Sequence, residues 1–464
     1  MTDTDAILEN ARYLRNVRPV DPEEIYEYVE GRPHPAVVRQ TLRKHAFELG
    51  LREREDGTFV PVEEGVAAPA FDGVRRFQSE YAARFEELLV DRYGAGWPAS
   101  EAGDRLRERI DDLKKAYFAD DAVDYDETTA LAYGLYHLPD YYAAVQYALQ
   151  EVGGAGLLPK RLRVLDVGAG PGGPALGLTD YLPESTLVEY DAVEPSAAAD
   201  ALEWMLKPTR PGFQVAVDRE TAEDHEPDGP YDLILFGNVL SELDAPAEVA
   251  VRYLDALAED GTLVALSPAE ERTATRLRTV ERELLDCRPS ATVYAPTVRL
   301  WPGEEPDDHG WTFRREADLE VPDFQRQLDE AADGDGTYVN VDVQFAYLLV
   351  RTDDRRAVEY EPGPDAVAKM AEMERHVTDR IDLVALKLSP DLSAAGNPLF
   401  KISDGSESVD HYAVLTRESI LNEALERAPY GSLLRFENAL VLWNDDEGAY
   451  NVVVDDETVV DRLS

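Results

Sequence analysis

The 464-residue sequence predicts an α/β protein in three parts: a helical N-terminal region that includes a hairpin, a doubly wound core and a C-terminal β-barrel. Three observations predict it. Between Arg163 and Val350, apolar strand-like runs alternate with helical segments, the pattern of a sheet covered by helices. At residues 163–173 one strand runs straight into a glycine-rich turn and a helix start. Beyond the linker Glu361-Pro362-Gly363-Pro364 the alternation gives way to short strands divided by turns. The resulting module boundaries are 1–64, 65–130, 131–355 and 365–464.

The first module reads as helices over Ala6 to Asn16, Pro22 to Glu30 and Pro35 to Leu49. A hairpin of Leu51 to Glu55 and Thr58 to Val62 follows, turned by Asp56-Gly57. That order resembles a winged helix-turn-helix. On the third helix Arg39, Arg43 and Lys44 fall at helical spacing among Val38, Leu42 and Phe47, giving one basic and one buried face. Two readings stand: these cations contact nucleic acid, or the module serves protein contacts and the basic face is merely solvated.

Residues 65–130 read as amphipathic helices whose stripe of Phe77, Tyr81, Phe85 and Leu88 is core. From Thr128 to Leu149 the chain holds Tyr133, Tyr136, His137, Tyr141, Tyr142 and Tyr147, directly before the first core strand. Rings in that place cap a pocket or stack on a base, and helix packing accounts for most of them.

Core strands are expected at Arg163 to Gly168, Val188 to Val193, Phe213 to Val217, Tyr231 to Phe236, Gly261 to Leu266 and Phe345 to Val350. In the first turn Gly168, Gly170 and Gly172 supply positive φ and close backbone approach, and a helix begins near Pro174 with unpaired amide groups. The spacing of these glycines suits either a dinucleotide or S-adenosylmethionine. Asp166, two residues ahead of the first glycine, favours the second, because an acid there meets an ammonium. Glu194, closing the next strand, suits ribose hydroxyls. The stretch resembles motif I of the class I S-adenosylmethionine-dependent methyltransferases, which makes the core Rossmann-like. The candidate cofactor residues are Asp166, Gly168, Ala169, Gly170, Gly172, Glu194, Pro195 and, just past a later strand end, Asn238.

In the last module, strands at Ile381 to Leu388, Pro398 to Ile402, Asp410 to Leu415, Leu433 to Trp443 and Tyr450 to Val454, with a helix at Ser419 to Arg427, resemble an OB-fold. Lys387, Lys401, Tyr412, Arg435 and Trp443 are the candidates for a nucleic-acid groove. Acidic residues outnumber basic ones about twofold here, so a structural or protein-binding barrel is an equal reading.

Asp and Glu number 94 against 46 Lys and Arg, a net charge of −48. The excess is spread along the chain and Arg is preferred to Lys, as in proteins of an extreme halophile. At molar salt the screening length falls to roughly 3 Å, so an acidic surface does not exclude nucleic acid. The single cysteine, Cys287, excludes an internal disulfide and is read as packing. No apolar run suits a membrane span and no leader pattern is evident, so a cytoplasmic protein is expected.

Five stretches carry a closer resemblance: Thr129-Ala-Leu-Ala-Tyr133, His137-Leu-Pro-x-x-Tyr142-Ala-Ala, the glycine turn, Val193-Glu-Pro-Ser196 and Asn238-Val-Leu-Ser-Glu-Leu243. Together they resemble the methyltransferase-like proteins of small-ribosomal-subunit assembly, over roughly residues 125–352. The resemblance implies S-adenosylmethionine as cofactor, small-subunit rRNA or a ribosomal precursor as partner, and cofactor contacts at Asp166, Gly168, Gly170, Gly172, Glu194 and Asn238. Family members with an iron-sulfur cluster hold it on cysteines after an Ala-Pro step. Ala295-Pro296 is followed here by Thr297-Val298-Arg299-Leu300, so no cluster is expected. The family's Val-Glu-Pro-Gly turn is here Leu266-Ser267-Pro268-Ala269. No Asn/Asp-Pro-Pro-aromatic motif follows the strand at Tyr231 to Phe236, no metal site is expected, and the residues name no general base. A non-catalytic assembly factor and a DNA-acting or regulatory methyltransferase using the winged helix are the alternatives.

Overall fold

The computed structural model describes residues 3–119, 123–207, 210–307, 310–363 and 367–463. Pro364, the last residue of the expected linker, and Asp365, the first of the expected last module, lie outside them. The chain divides into two compact units. One comprises residues 1–237, 253–262 and 318–342; the other comprises 238–252, 263–317 and 343–464.

The first unit begins with helices α1 (Asp3–Leu14), α2 (Pro22–Tyr28), α3 (Pro35–Lys44) and α4 (Ala46–Leu49), then strands β1 (Leu51–Glu53) and β2 (Phe59–Pro61). Asp21 caps α2 through the Glu23 amide at 2.9 Å and Pro22 occupies its first turn, where its missing N–H costs nothing. The expected third helix is broken at His45, whose φ of −106° and ψ of 18° end the ladder. Val20 makes an isolated antiparallel bridge to Phe59 of β2 beside this two-stranded hairpin. The core beneath is Ile7, Ala11, Val20, Ile25, Val38, Leu42 and their neighbours.

Helices α5 (Ser79–Tyr93), α6 (Glu101–Ala119) and α7 (Glu127–Gly153) follow. The expected stripe is packing: Phe77, Phe85 and Leu88 are buried, and the Tyr81 and Tyr142 hydroxyls each donate to Asp180 at 2.6 Å. Asp126 caps α7 through the Thr129 amide. Pro139 lies inside α7 and has no N–H to offer the Leu135 carbonyl. That carbonyl instead accepts from Gln325 Nε2 at 2.9 Å, and Asn340 Nδ2 reaches the Tyr136 carbonyl at 3.1 Å.

The parallel half of the core sheet is built from β3 (Arg161–Val167), β4 (Leu187–Val193), β5 (Phe213–Asp218) and β6 (Tyr231–Gly237), in the order β5-β4-β3-β6. Between them run α8 (Gly173–Tyr181) and α9 (Ala198–Leu206). All four strands fall where the apolar runs place them. Helix α8 lies close against α7: a Cβ on Gly177 falls inside Val145 and the Tyr142 carbonyl, so only glycine admits this approach.

Strand β7 (Leu257–Pro268), preceded by α10 (Pro246–Leu254), contributes residues to both units. Within the second unit its Leu263–Pro268 part pairs antiparallel with β10 (Gln344–Arg351), which also pairs with β8 (Thr292–Ala295) and β9 (Arg314–Arg315). The core is therefore the expected Rossmann-like α/β sheet, mixed and mostly parallel in kind. Helix α11 (Glu271–Cys287) packs beside β10, while α12 (Asp323–Glu330) belongs to the first unit. Cys287 is exposed at the end of α11 and is not the packing residue expected.

The C-terminal barrel comprises β11 (Arg380–Lys387), β12 (Leu399–Ser403), β13 (His411–Leu415), β14 (Leu433–Asn444) and β15 (Ala449–Val454), with β16 (Val459–Arg462) added on β14. Pairing of β11 with β14 closes the order β11-β12-β13-β15-β14, and β13 runs parallel to β15, which is OB-like topology. The expected helix at 419–427 shrinks to α13 (Ala424–Arg427), because Asn422 and Ser419 tie their stretch into a turn. Among the described residues no helix is long and apolar enough to cross a membrane.

The α7–α8 approach carries a stability prediction. Gly177→Val overpacks it and lowers unfolding stability by about 1–3 kcal/mol, measured by denaturant titration in high salt.

Candidate functional site

The glycine turn follows β3 directly, and its three glycines have φ of 70° at Gly168, 54° at Gly170 and 101° at Gly172, as the sequence requires. Gly168 and Ala169 spend their amides on the Val193 carbonyl, at 2.8 and 3.2 Å, which fastens the turn to the end of β4. Gly172 donates to the Ala169 carbonyl at 3.2 Å. A Cβ on Gly170 meets nothing within 4 Å, so the turn faces open space at that point.

Glu194 closes β4. Its Oε2 accepts from the Gly170 amide at 2.8 Å and its Oε1 from the Ser196 amide at 2.9 Å, so the carboxylate is fixed against the turn with a lone pair left on each oxygen. Pro195, beside it, is exposed. Tyr125 is brought to the same place, since its carbonyl accepts from the Ala197 amide.

Asp166 is fully buried on β3 beneath the turn. One carboxyl oxygen accepts from the Tyr190 hydroxyl, and the other, Oδ1, has no hydrogen-bond partner. Burial pushes its pKa up to about 7, the Tyr190 hydrogen bond opposes that rise and the nearby Glu194 charge adds to it. Tyr190, the partner on β4, carries no sequence signal of this role. A buried carboxyl with one unsatisfied oxygen leaves a hydrogen-bonding need unmet inside the fold.

Asn238 lies in the second unit. It adopts a left-handed φ of 66°, and its amide donates to the Leu266 carbonyl at 3.1 Å. Also in that unit, Thr297, the residue after Ala295-Pro296, donates to the buried Glu281 carboxylate at 2.6 Å.

The nucleic-acid candidates fare unequally. On α3, Arg39 and Arg43 are exposed and both turn to Glu53 of β1, at 3.5 Å and in a close pair, while Lys44 is exposed. Two barrel candidates are corrected. Lys387 is buried, donates to the Glu426 and Ala428 carbonyls at 3.1 and 2.9 Å, and lies over the Phe400 ring; burial lowers its pKa to about 8. Lys401 is equally buried and pairs with Asp410 at 2.6 Å. Both cations are buried, so neither presents a charge at the barrel surface. Arg435 and Trp443 are half-exposed but stand eight residues apart on β14, roughly 25 Å, with Arg435 paired to Glu437 and the Trp443 indole donating to Asp445.

Along the chain, residues 136–320 match the family profile of a methyltransferase domain. Residues 4–55 and 371–463 match the N-terminal and C-terminal domains of a family of unknown function, DUF8157. No protein of curated function matches. Similar solved structures include a SAM-dependent methyltransferase of Leishmania major, at 19% identity over 30% of this chain and 59% of that one, TM-score 0.23. The plantazolicin methyltransferase BpumL in complex with SAH shares 12% over 59% of this chain and 99% of its own, TM-score 0.30. The mitomycin 7-O-methyltransferase MmcR shares 17% over 61% and 81%, TM-score 0.25. The chain thus spans about three-fifths of the Leishmania protein it matches.

Two outcomes follow from the burial seen here. Asp166 is neutral in the fold and charged in the unfolded chain between pH 3.8 and about 7, so stability falls as pH rises through that window; Asp166→Asn flattens this slope in pH-dependent unfolding. Lys401→Met lowers barrel stability by roughly 1 kcal/mol, because it removes the hydrogen bond to part-exposed Asp410, and leaves the salt slope of any RNA binding unchanged.

Proposed function

Starting from a SAM-dependent methyltransferase domain within residues 136–320, we propose that the chain binds S-adenosylmethionine on its glycine turn and methylates RNA, with small-subunit rRNA as the acceptor. The observation that carries the cofactor half is the unsatisfied Oδ1 of buried Asp166 beneath a turn whose Gly170 faces open space. These residues fit the group. Asp166 takes the ammonium of the methionine moiety, Glu194 accepts from the ribose hydroxyls with the lone pairs its two amide contacts leave, and the turn leaves room that side chains would fill. Bound there, the cofactor supplies a methyl group on a sulfonium, activated before it arrives.

The chain's own contribution is placement. Glu194 holds Gly170 as well as its ligand, so the turn and the ribose contact are positioned by one carboxylate. Asp166 ionises against a cation at little cost, because the charge that burial disfavours alone is balanced once a partner is present. Holding the acceptor in line then supplies most of the rate.

The RNA half rests on the five-stretch resemblance to the small-subunit assembly family. Exposed Arg39, Arg43 and Lys44 on α3 are compatible with it, and the two buried barrel lysines withdraw part of the support first drawn from the barrel.

Binding of S-adenosylmethionine, measured by calorimetry in molar salt, is expected to weaken as pH falls below about 7, where Asp166 takes up its proton. Gly170→Val abolishes it. With labelled cofactor, methyl groups are expected in small-subunit precursor RNA, and incorporation into none of the rRNA, tRNA and DNA offered would refute the activity.

A further inference from the structure

Helix α7 crosses the glycine turn with one stripe of residues. A Cβ on Gly134 stands 3.3 Å from Pro171 Cβ, while one on Gly173 stands 3.0 Å from Tyr141 Cβ and 3.3 Å from the Leu138 carbonyl. Residues 134, 138 and 141 thus face the turn, and 137 shares their spacing. On a helix otherwise mostly buried, Tyr133, Tyr136, His137 and Tyr141 are only half-buried, and so is Tyr125 ahead of it. The rings form a continuous row. Tyr125 meets Tyr133 edge-on at 5.5 Å, Tyr133 lies 4.9 Å from His137, and His137 stacks on Tyr141 at 5.1 Å and 9°. The row runs from the end of β4, where the Tyr125 carbonyl holds Ala197, to the glycine turn.

His137 is oriented from behind. Its Nδ1 faces Asp140 Oδ2 at 3.2 Å, and Asn340 Nδ2 donates to the same oxygen at 2.9 Å. With Nδ1–H given to the carboxylate, the lone pair lies on Nε2, for which no partner exists among the described residues. The charged groups nearby are Asp140 on α7 itself, Lys114 of α6 at 4.4 Å over the Tyr136 ring, and Asp342 beside Tyr136.

Resting on the reading of the glycine turn as the cofactor site, we propose that this ring row is the acceptor subsite: a planar nitrogen heterocycle of RNA stacks among Tyr133, His137 and Tyr141, and His137 Nε2 takes the proton from the reacting nitrogen. The acceptor's N–H bond breaks and its electron pair stays on nitrogen for the new bond to carbon, the carbon–sulfur bond of the donor would break with its pair leaving on the thioether, and the proton bonds to the Nε2 lone pair. The imidazolium so formed is balanced by Asp140 and releases its proton to solvent through the half-exposed ring. Aromatic rings hold a base without reading its sequence, so the subsite sets the class of acceptor and leaves its position to other contacts.

The full chain, with and without S-adenosylhomocysteine, is treated with diethyl pyrocarbonate, and acylation of His137 is followed by mass spectrometry. A nucleoside 5′-monophosphate is expected to slow that reaction at least fivefold while ribose 5-phosphate does not. Equal protection by ribose 5-phosphate, or protection by none of the four nucleotides, overturns the proposal. His137→Gln is expected to keep S-adenosylmethionine affinity within twofold, to lower kcat about 10²–10⁴-fold and to lose the rising limb of the pH–rate profile; a kcat within threefold of the parent with that limb intact overturns the base assignment. Absence of S-adenosylmethionine binding to the parent chain defeats the cofactor reading instead, and nucleotide protection of His137 without cofactor reports on the subsite separately.

Discussion

One missing hydrogen organises the region around the glycine turn. Pro139 cannot complete the α7 ladder, and a buried carbonyl left without a donor costs about 1–3 kcal/mol. Gln325, fully buried, meets that need at Leu135, and its own Oε1 accepts the Asn340 amide at 3.1 Å. Asn340 is thereby set where its side chain holds both the Tyr136 carbonyl and Asp140. A backbone defect has become the support of a polar side-chain cluster. Because Gly173 and Gly177 let α7 lie against α8, that cluster stands beside the turn following β3.

How much of this could be read from the sequence depends on how local each cause is. The turn could be read from its apolar strand, Asp166, alternating glycines and Glu194, and the φ values follow the glycines one by one, whereas Tyr190, the partner of Asp166, lies 24 residues along the chain and carries no signal. The barrel could be read as strands but not as a surface. Whether Lys387 and Lys401 face outward depends on β11 closing on β14 and on carbonyls and carboxylates that arrive only with closure, so residue type and spacing mislead there. The Pro139 repair was beyond reach, since its donor lies 190 residues away. The tyrosine-rich stretch was half legible: Tyr142 and Tyr147 are the packing rings expected, whereas the row containing His137 is distinguished only by its exposure.

The same contrast bears on charge. In a chain this acidic lysines are few, and two of the eight are used inside the barrel, where Lys387 donates to two backbone carbonyls and Lys401 pairs with part-exposed Asp410. On α3 Arg39 and Arg43 are kept at the surface but held by Glu53, which limits their reach without burying them.

The interruption at Pro139 has one more consequence. A helix whose ladder is broken and whose two halves are joined partly through side chains of a distant segment bends at the break more easily than anywhere else along its length. The half that bears Tyr133 is tied to the residues beyond the break through Asn340, whose side chain bonds both the Tyr136 carbonyl and Asp140.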